Sequence, residues 1–295
     1  MRRPDETTVA GPRPPVLWNC YISDAIVPEP INLKRLLPPG PPATAEQIVA
    51  GFGLDASTAS DSSSRPYVML NMVSTADGHA TLAGRSGPLS SAADRELFHG
   101  LRLAVDAVMA GAGTVRVERY GRIIPDASRR RLRVERGLSE EPLACIVSGR
   151  LALDAEIPLL ADPAARVVIL TSSAASLPAS AAEVHYIRAE RDGLLDLPAA
   201  LAELRERFGV RTLLCEGGPH LNAQLLGAGL VDELFLSLAP LLAGGDSDRN
   251  PAHPEALRIL AGAEFSPPLA LELRGVLEHA SSLFLRYGVR GNLAD

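Results

Sequence analysis

Residues 210–240 read VRTLLCEGGPHLNAQLLGAGLVDELFLSLAP, and their order decides the fold class. The apolar run VRTLLC (210–215) stops at the turn EGGP. A helical stretch, HLNAQLLGAG, follows, and a second apolar run, DELFLSLAP (232–240), closes the unit. Runs that are short and almost continuously apolar suit strands covered on both faces. Their alternation with helices is the signature of an α/β protein.

The same rhythm extends upstream. YVMLNMV (67–73) reads as a strand that stops at STADG, and VDAVMA (105–110) as one that runs into GAGT. Between them, Ser91 and Asp94 stand at capping-box spacing and Leu97, Leu101 and Ala104 follow at helical intervals, which predicts a helix over 92–104. Further strands are expected at 144–148, 166–172, 184–187 and 281–289. A helix is expected over 197–208, with Gly209 as its C-cap.

Ahead of this body lie ten of the chain's 24 prolines, all within the first 64 residues, ending in DASTASDSSS. That composition predicts an arm and linker over 1–64 and a domain over 65–290. Within the arm, VLWNCYI (16–22) reads as an edge strand, and Thr44 with Gln47 as the capping box of a short helix.

Bulk properties exclude several functions. At 295 residues and 46% apolar the chain can bury a large core, and a net charge of -6 argues against a nucleic-acid partner. Cys20, Cys145 and Cys215 are odd in number and lack metal-ligand spacing, so neither a disulfide framework nor a metal site is expected; Cys145 and Cys215 read as buried, inert thiols. No run approaches the roughly 18 apolar residues of a membrane span. A cytoplasmic location is the expectation.

In parallel sheets ligands bind outside the carboxyl ends of the strands. STADG, GAGT and EGGP each follow an apolar strand directly, so parallel strands would put all three on one edge of the sheet. Gly111 and Gly113 of GAGT allow close backbone approach, and Thr114 adds a hydroxyl; a tight turn without a ligand is the other reading. Glu216 at a strand exit suits a contact to the N–H groups of a pyrimidine, or else a helix cap or a pair with an arginine. Asp77 is a ligand contact or a residue bonded to its own turn. Arg102 is a phosphate clamp or an ordinary helix arginine. The run RRRLRVER (129–136) reads as a solvated face, and the six histidines read by default as surface or satisfied core residues.

Together, the strand before STADG, the segment GLRLAVDAVMAGAGTV and the segment CEGGPHLNAQLLGAGLVDELFLSLAPLLAG resemble the pyrimidine reductases of riboflavin biosynthesis, most of all their stand-alone actinobacterial branch. The resemblance covers residues 66–245. It implies a dihydrofolate-reductase-like α/β fold, with a largely parallel central sheet flanked by helices and antiparallel strands at the C-terminal end. It also implies NADPH as donor and a ribosylamino-pyrimidine 5′-phosphate as acceptor. Carried over by position, Ser74 and a catalytic Asp77 fall at the nicotinamide end. Gly111, Gly113, Thr114, Glu118, Gly217 and Gly218 fall on the cofactor, and Ser86, Arg102 and Glu216 on the substrate.

Ala76 and Pro88 depart from the family pattern, and the often-fused deaminase motif is absent from the first 64 residues. A homodimer is expected from family habit and from the apolar DELFLSLAP. Two rivals stand beside this reading: a same-fold reductase of a pterin such as dihydrofolate, and a regulatory protein that keeps the NADPH cleft without turnover.

Overall fold

In the strand Tyr67–Thr75, Val68 and Leu70 enter one hydrophobic cluster and Met69, between them, enters another. Side chains of a strand alternate between faces, so this element is covered on both sides. The computed structural model describes residues 30–54, 63–244 and 257–290. Its strands are β1 (Asn32–Leu37), β2 (Pro39–Thr44), β3 (Tyr67–Thr75), β4 (Ala107–Gly111), β5 (Leu143–Val147), β6 (Arg166–Thr171), β7 (Glu183–Arg188), the two-residue β8 (Glu190–Arg191) and β9 (Leu194–Leu195), β10 (Thr212–Cys215), β11 (Glu233–Ala239), β12 (Leu271–His279) and β13 (Ser282–Val289). The helices are α1 (Ala45–Ala50), α2 (Ala92–Ala104), α3 (Ala112–Val117), α4 (Ala127–Glu135), α5 (Pro158–Ala161), α6 (Leu197–Phe208) and α7 (Pro219–Gly227).

All but β8 and β9 form one sheet in the order β2-β1-β12-β13-β11-β3-β10-β4-β5-β6-β7. From β11 to β7 every pairing is parallel, and from β11 outward through β13, β12, β1 and β2 every pairing is antiparallel. This is the expected α/β sheet with antiparallel C-terminal strands. One face carries α1 and α2 through Ala45, Ile48, Leu97 and Leu101. The other carries α6 and α7 through Leu201, Leu204, Leu221 and Leu225.

Local chemistry explains where the helices begin and end. Ser91 accepts from the Asp94 amide at the start of α2, and Asp196 accepts from the Ala199 amide at the start of α6. Gly209 ends α6 at φ 68°, a left-handed conformation that glycine adopts without a Cβ penalty. The Thr44–Gln47 capping box of α1 is complete in both directions.

The sequence reading needs correction at four places. Residues 32–50, read as arm, are built into the body: β1 pairs with β12, and α1 packs on α2. The strand β12 was not anticipated. The apolar run of β11 lies inside the sheet between β3 and β13, which removes the argument for a dimer drawn from it. The strand expected over 16–22 lies outside the described residues.

The fourth correction concerns the basic run. It forms α4, yet Arg133 within it is fully buried, and its Nη1 donates to the carbonyl oxygens of Arg102, Leu103 and Val105. These belong to the end of α2, where carbonyls lack intrahelical partners and a cation is favoured. Burial lowers the guanidinium to about 10, so it stays charged at neutral pH. Arg133→Met is expected to destabilise the protein by about 2–3 kcal/mol through orphaned carbonyls. Urea denaturation checks this, and a loss below about 1 kcal/mol would contradict the capping role.

Candidate active site

Register fixes the layout of the edge where the three turns lie. Cys215 at the end of β10 pairs with Leu70 of β3 and Met109 of β4, so Glu216 emerges level with the start of the β4 exit. Beyond that point β3 runs on beside β11 as far as the pair Ala239–Thr75. Five more residues at roughly 3.3 Å each place the STADG turn about 16 Å past Cys215. GAGT and EGGP therefore form a floor, and STADG stands above it on a protruding wall.

The two floor turns touch. The Gly111 amide donates to the Gly217 carbonyl at 2.8 Å, so it serves turn-to-turn packing. A Cβ on Gly218 would come within 3.0 Å of Thr114 Oγ1, whereas Gly113 faces open space. Gly217 has φ 102°, and the peptide joining it to Gly218 is cis. Gly218 is the N-cap of α7, no side chain caps its first turn, and Pro219 follows. A helix N-terminus without a side-chain cap favours an anion.

Beside this floor lies a buried charge cluster. Arg102 donates from Nε and Nη2 to the two oxygens of Glu216, each at 2.7 Å, and from Nη1 to the Ile123 carbonyl at 2.7 Å. The Tyr120 hydroxyl donates to Glu216 Oε2, also at 2.7 Å. The guanidinium carbon lies 4.1 Å from the Phe98 ring centroid and 5.8 Å from that of Tyr120. The side chains are only 10% and 2% exposed, so this is an enclosed bidentate pair. Of the three readings the sequence left for Glu216, a ring contact, a helix cap or a pair with an arginine, the structure contains the arginine pair. Burial and the neighbouring carboxylate push the Tyr120 phenol well above its usual range, and it remains a donor.

The other predicted residues are also bonded to protein. Ser86 donates from both its amide and its hydroxyl to Glu118 Oε1 at 3.0 Å, which joins a substrate-side residue to a cofactor-side one. Ser74 is buried opposite Leu238. Asp77 accepts from the Thr75 hydroxyl and from the amides of Ala243 and Gly244 at 3.2 and 2.7 Å. The Thr75 hydroxyl, then the Gly244 amide, hold the carboxyl far below the ordinary aspartate range. An acid held ionised in this way cannot give up a proton at neutral pH. Asp77 clamps the STADG turn to the segment after β11, and a catalytic role as proton donor does not fit it.

Two groups escaped the sequence reading. Tyr120 follows α3 in a stretch without periodicity, and its partner is 96 positions away, so no local pattern signals it. His99 lies on α2, its ring centroid 5.6 Å from that of Phe98. Burial, then Arg129 and Arg102, lower its imidazole to about 4 from 6.5. Between those values the unfolded chain binds a proton that the folded chain refuses. Stability from this group is complete above about pH 6.5 and is lost as pH falls toward 4, at up to about 1.4 kcal/mol per pH unit. His99→Gln is expected to flatten that limb, which urea midpoints at pH 7 and pH 5 would reveal. Cys145 and Cys215 are buried free thiols, and burial raises both, Cys215 to about 12.

At the carboxyl ends of its parallel strands, where α/β sheets bind their ligands, this sheet brings together two abutting glycine turns, a helix N-terminus with no side-chain cap and an enclosed charge pair. Comparison with known proteins narrows the class. The model of the RibD C-terminal domain matches residues 66–280, and the chain belongs to that family. It is 31% identical over 231 residues to the 2,5-diamino-6-ribosylamino-4(3H)-pyrimidinone 5′-phosphate reductase of Methanothermobacter thermautotrophicus, covering 77% of this chain and all of that one. It is 31% identical over 186 residues to the protein of the same description from Archaeoglobus fulgidus, covering 61% of this chain and 83% of that one. Among solved structures, a pyrimidine reductase-like protein from Corynebacterium diphtheriae superposes with a TM-score of 0.65 at 25% identity, covering 84% of this chain and 99% of that one.

Proposed function

We propose that this member of the family is an oxidoreductase of riboflavin biosynthesis that uses NADPH to reduce the ribosyl group of a ribosylamino-pyrimidine 5′-phosphate to a ribityl chain. The observation that carries this reading is the floor of the cleft. At Gly218 a side chain would press on Thr114 Oγ1, while Gly113 lies open and the first turn of α7 is uncapped. Backbone left bare around a helix N-terminus suits the diphosphate of a dinucleotide.

On this reading Gly113, Thr114, Gly217 and Gly218 hold the dinucleotide, Gly111 and Glu118 support their loops, and Ser74 lies toward the nicotinamide. The dihydronicotinamide supplies the hydride. The protein's part is to align donor and acceptor and to exclude water. Ser86 and Arg102 take the sugar phosphate, and Glu216 takes the pyrimidine ring. Because Arg102 and Glu216 are bonded to each other, the substrate meets the outer edge of one rigid unit.

No helix among the described residues is long and apolar enough to cross a membrane. The reading carries with it a cytoplasmic enzyme and a homodimer, the latter checked by sedimentation.

The deciding experiment follows NADPH oxidation by the purified chain with the amino and deaminated forms of the ribosylamino-pyrimidine phosphate, and with dihydrofolate. Turnover is expected with a pyrimidine and not with the pterin. Tight NADPH binding without turnover on any acceptor would instead make the chain a nucleotide-sensing protein.

A further inference from the structure

The turn at the end of β3 holds a group that the charge cluster and the glycine floor do not use. The Thr75 amide donates to the His79 carbonyl at 2.9 Å, the Gly78 amide to the Thr75 carbonyl at 3.0 Å, and the His79 amide to Thr75 Oγ1 at 2.9 Å. The next residue is pinned as well, because the Ala80 amide donates to the Leu257 carbonyl at 2.6 Å. His79 is therefore carried on a closed, anchored turn. Its Nδ1 lies 3.3 Å from Asp77 Oδ1, yet it is enclosed and has no aligned hydrogen bond. No hydrogen bond among the described residues reaches the other ring nitrogen, Nε2, and the side chain as a whole is 16% exposed.

A buried imidazole nitrogen facing an ionised carboxylate, with the opposite nitrogen open, is the geometry of an oriented proton carrier. Such contacts are often long in the unliganded protein and tighten when substrate binds. The carboxylate itself cannot be the donor, since three hydrogen bonds from Thr75, Ala243 and Gly244 hold it ionised. Each of those bonds also fixes where its charge sits.

Resting on the reductase reading above, we propose that His79, oriented by Asp77, is the catalytic residue that protonates the substrate nitrogen during reduction. Reduction of a ribosyl imine by a dihydronicotinamide delivers a hydride to C1′. The π pair of the C=N bond moves onto nitrogen, which needs one proton. That proton comes from Nε2 of the imidazolium: its N–H bond breaks, the pair stays on Nε2, and solvent later reprotonates the ring. The dinucleotide is oxidised by two electrons, the imine is reduced to an amine, and His79 ends unchanged. Asp77 is a positioning residue that keeps Nδ1–H directed inward and stabilises the protonated ring from which the proton leaves.

The test compares the wild-type chain with His79→Gln and His79→Ala. His79→Gln is expected to lower kcat about a hundredfold or more while the KM for NADPH stays within about twofold. Imidazole added to the medium is expected to restore part of the kcat of His79→Ala, a rescue that a packing role would not show. Independently of turnover, diethyl pyrocarbonate should modify His79 in the free protein, as mapped by mass spectrometry, and bound phosphorylated pyrimidine should block it. Wild-type kcat in His79→Gln, or no rescue and no protection, overturns the proposal and leaves the reductase reading standing. A wild-type chain that oxidises no NADPH with any pyrimidine overturns both.

Discussion

Replacing Glu216 with alanine is expected to destabilise the fold by about 3–5 kcal/mol and to abolish turnover. The substitution leaves the Arg102 guanidinium buried with its two strongest bonds removed. An uncompensated cation in such a site is far costlier than the loss of a single hydrogen bond. It also releases Tyr120, whose hydroxyl is directed at the same carboxylate. Glu216→Gln keeps an acceptor for the guanidinium and is expected to cost about 1–3 kcal/mol. The double variant Arg102→Met, Glu216→Leu removes both charges at similar volume and should lose much less than the sum of the single truncations.

Denaturant titration of the three variants checks the order, and a Glu216→Ala loss below about 1 kcal/mol would show that the pair is not enclosed in solution. Function separates the partners further. Arg102→Ala is expected to raise KM for a phosphorylated substrate more than for its dephosphorylated form. Equal effects on both would remove Arg102 from the phosphate end.

The pairing also explains what the sequence could and could not disclose. The central strands were legible because burial on both faces writes a continuous apolar run, as in Val68–Leu70 and Leu213–Cys215. The helices α2 and α6 were legible because Ser91, Asp196 and Gly209 satisfy terminal groups within a few residues. The hairpin of β1 and β2 was not. Its second strand begins PGPP, and prolines in a strand are tolerated where, as here, it lies at the edge of the sheet. Its partner β12 alternates imperfectly, with a register shift between Leu273 and Gly275.

The candidate site divides along the same line. Turn residues that follow strands were visible, since glycine at a strand exit has a local meaning. Bonds such as Arg102 to Glu216, 114 positions apart, or Arg133 to the end of α2 have no local trace. A charged side chain in a helix carries the same letter whether it faces water or a carbonyl. His79 is a different case, since it stands two residues from Asp77 in the same turn and a lone histidine there reads by default as a surface or core residue.

The second large effect is expected at the glycine floor, where two neighbouring substitutions separate two physical demands. Gly218 has φ -70°, a conformation open to any residue, so Gly218→Ala should fold normally. Its new Cβ would lie 3.0 Å from Thr114 Oγ1 in the path assigned to the dinucleotide. NADPH affinity is expected to fall at least tenfold, equivalent to about 1.4 kcal/mol, with little change in stability. Gly217 differs because its φ of 102° disfavours any L side chain, so Gly217→Ala should cost about 1–3 kcal/mol of folding stability from backbone strain alone. Paired calorimetric titration with NADPH and thermal unfolding distinguish the cases. If Gly218→Ala binds NADPH as tightly as the wild type, the bare backbone between GAGT and EGGP is not where the cofactor rests, and the reductase reading loses the observation that carries it.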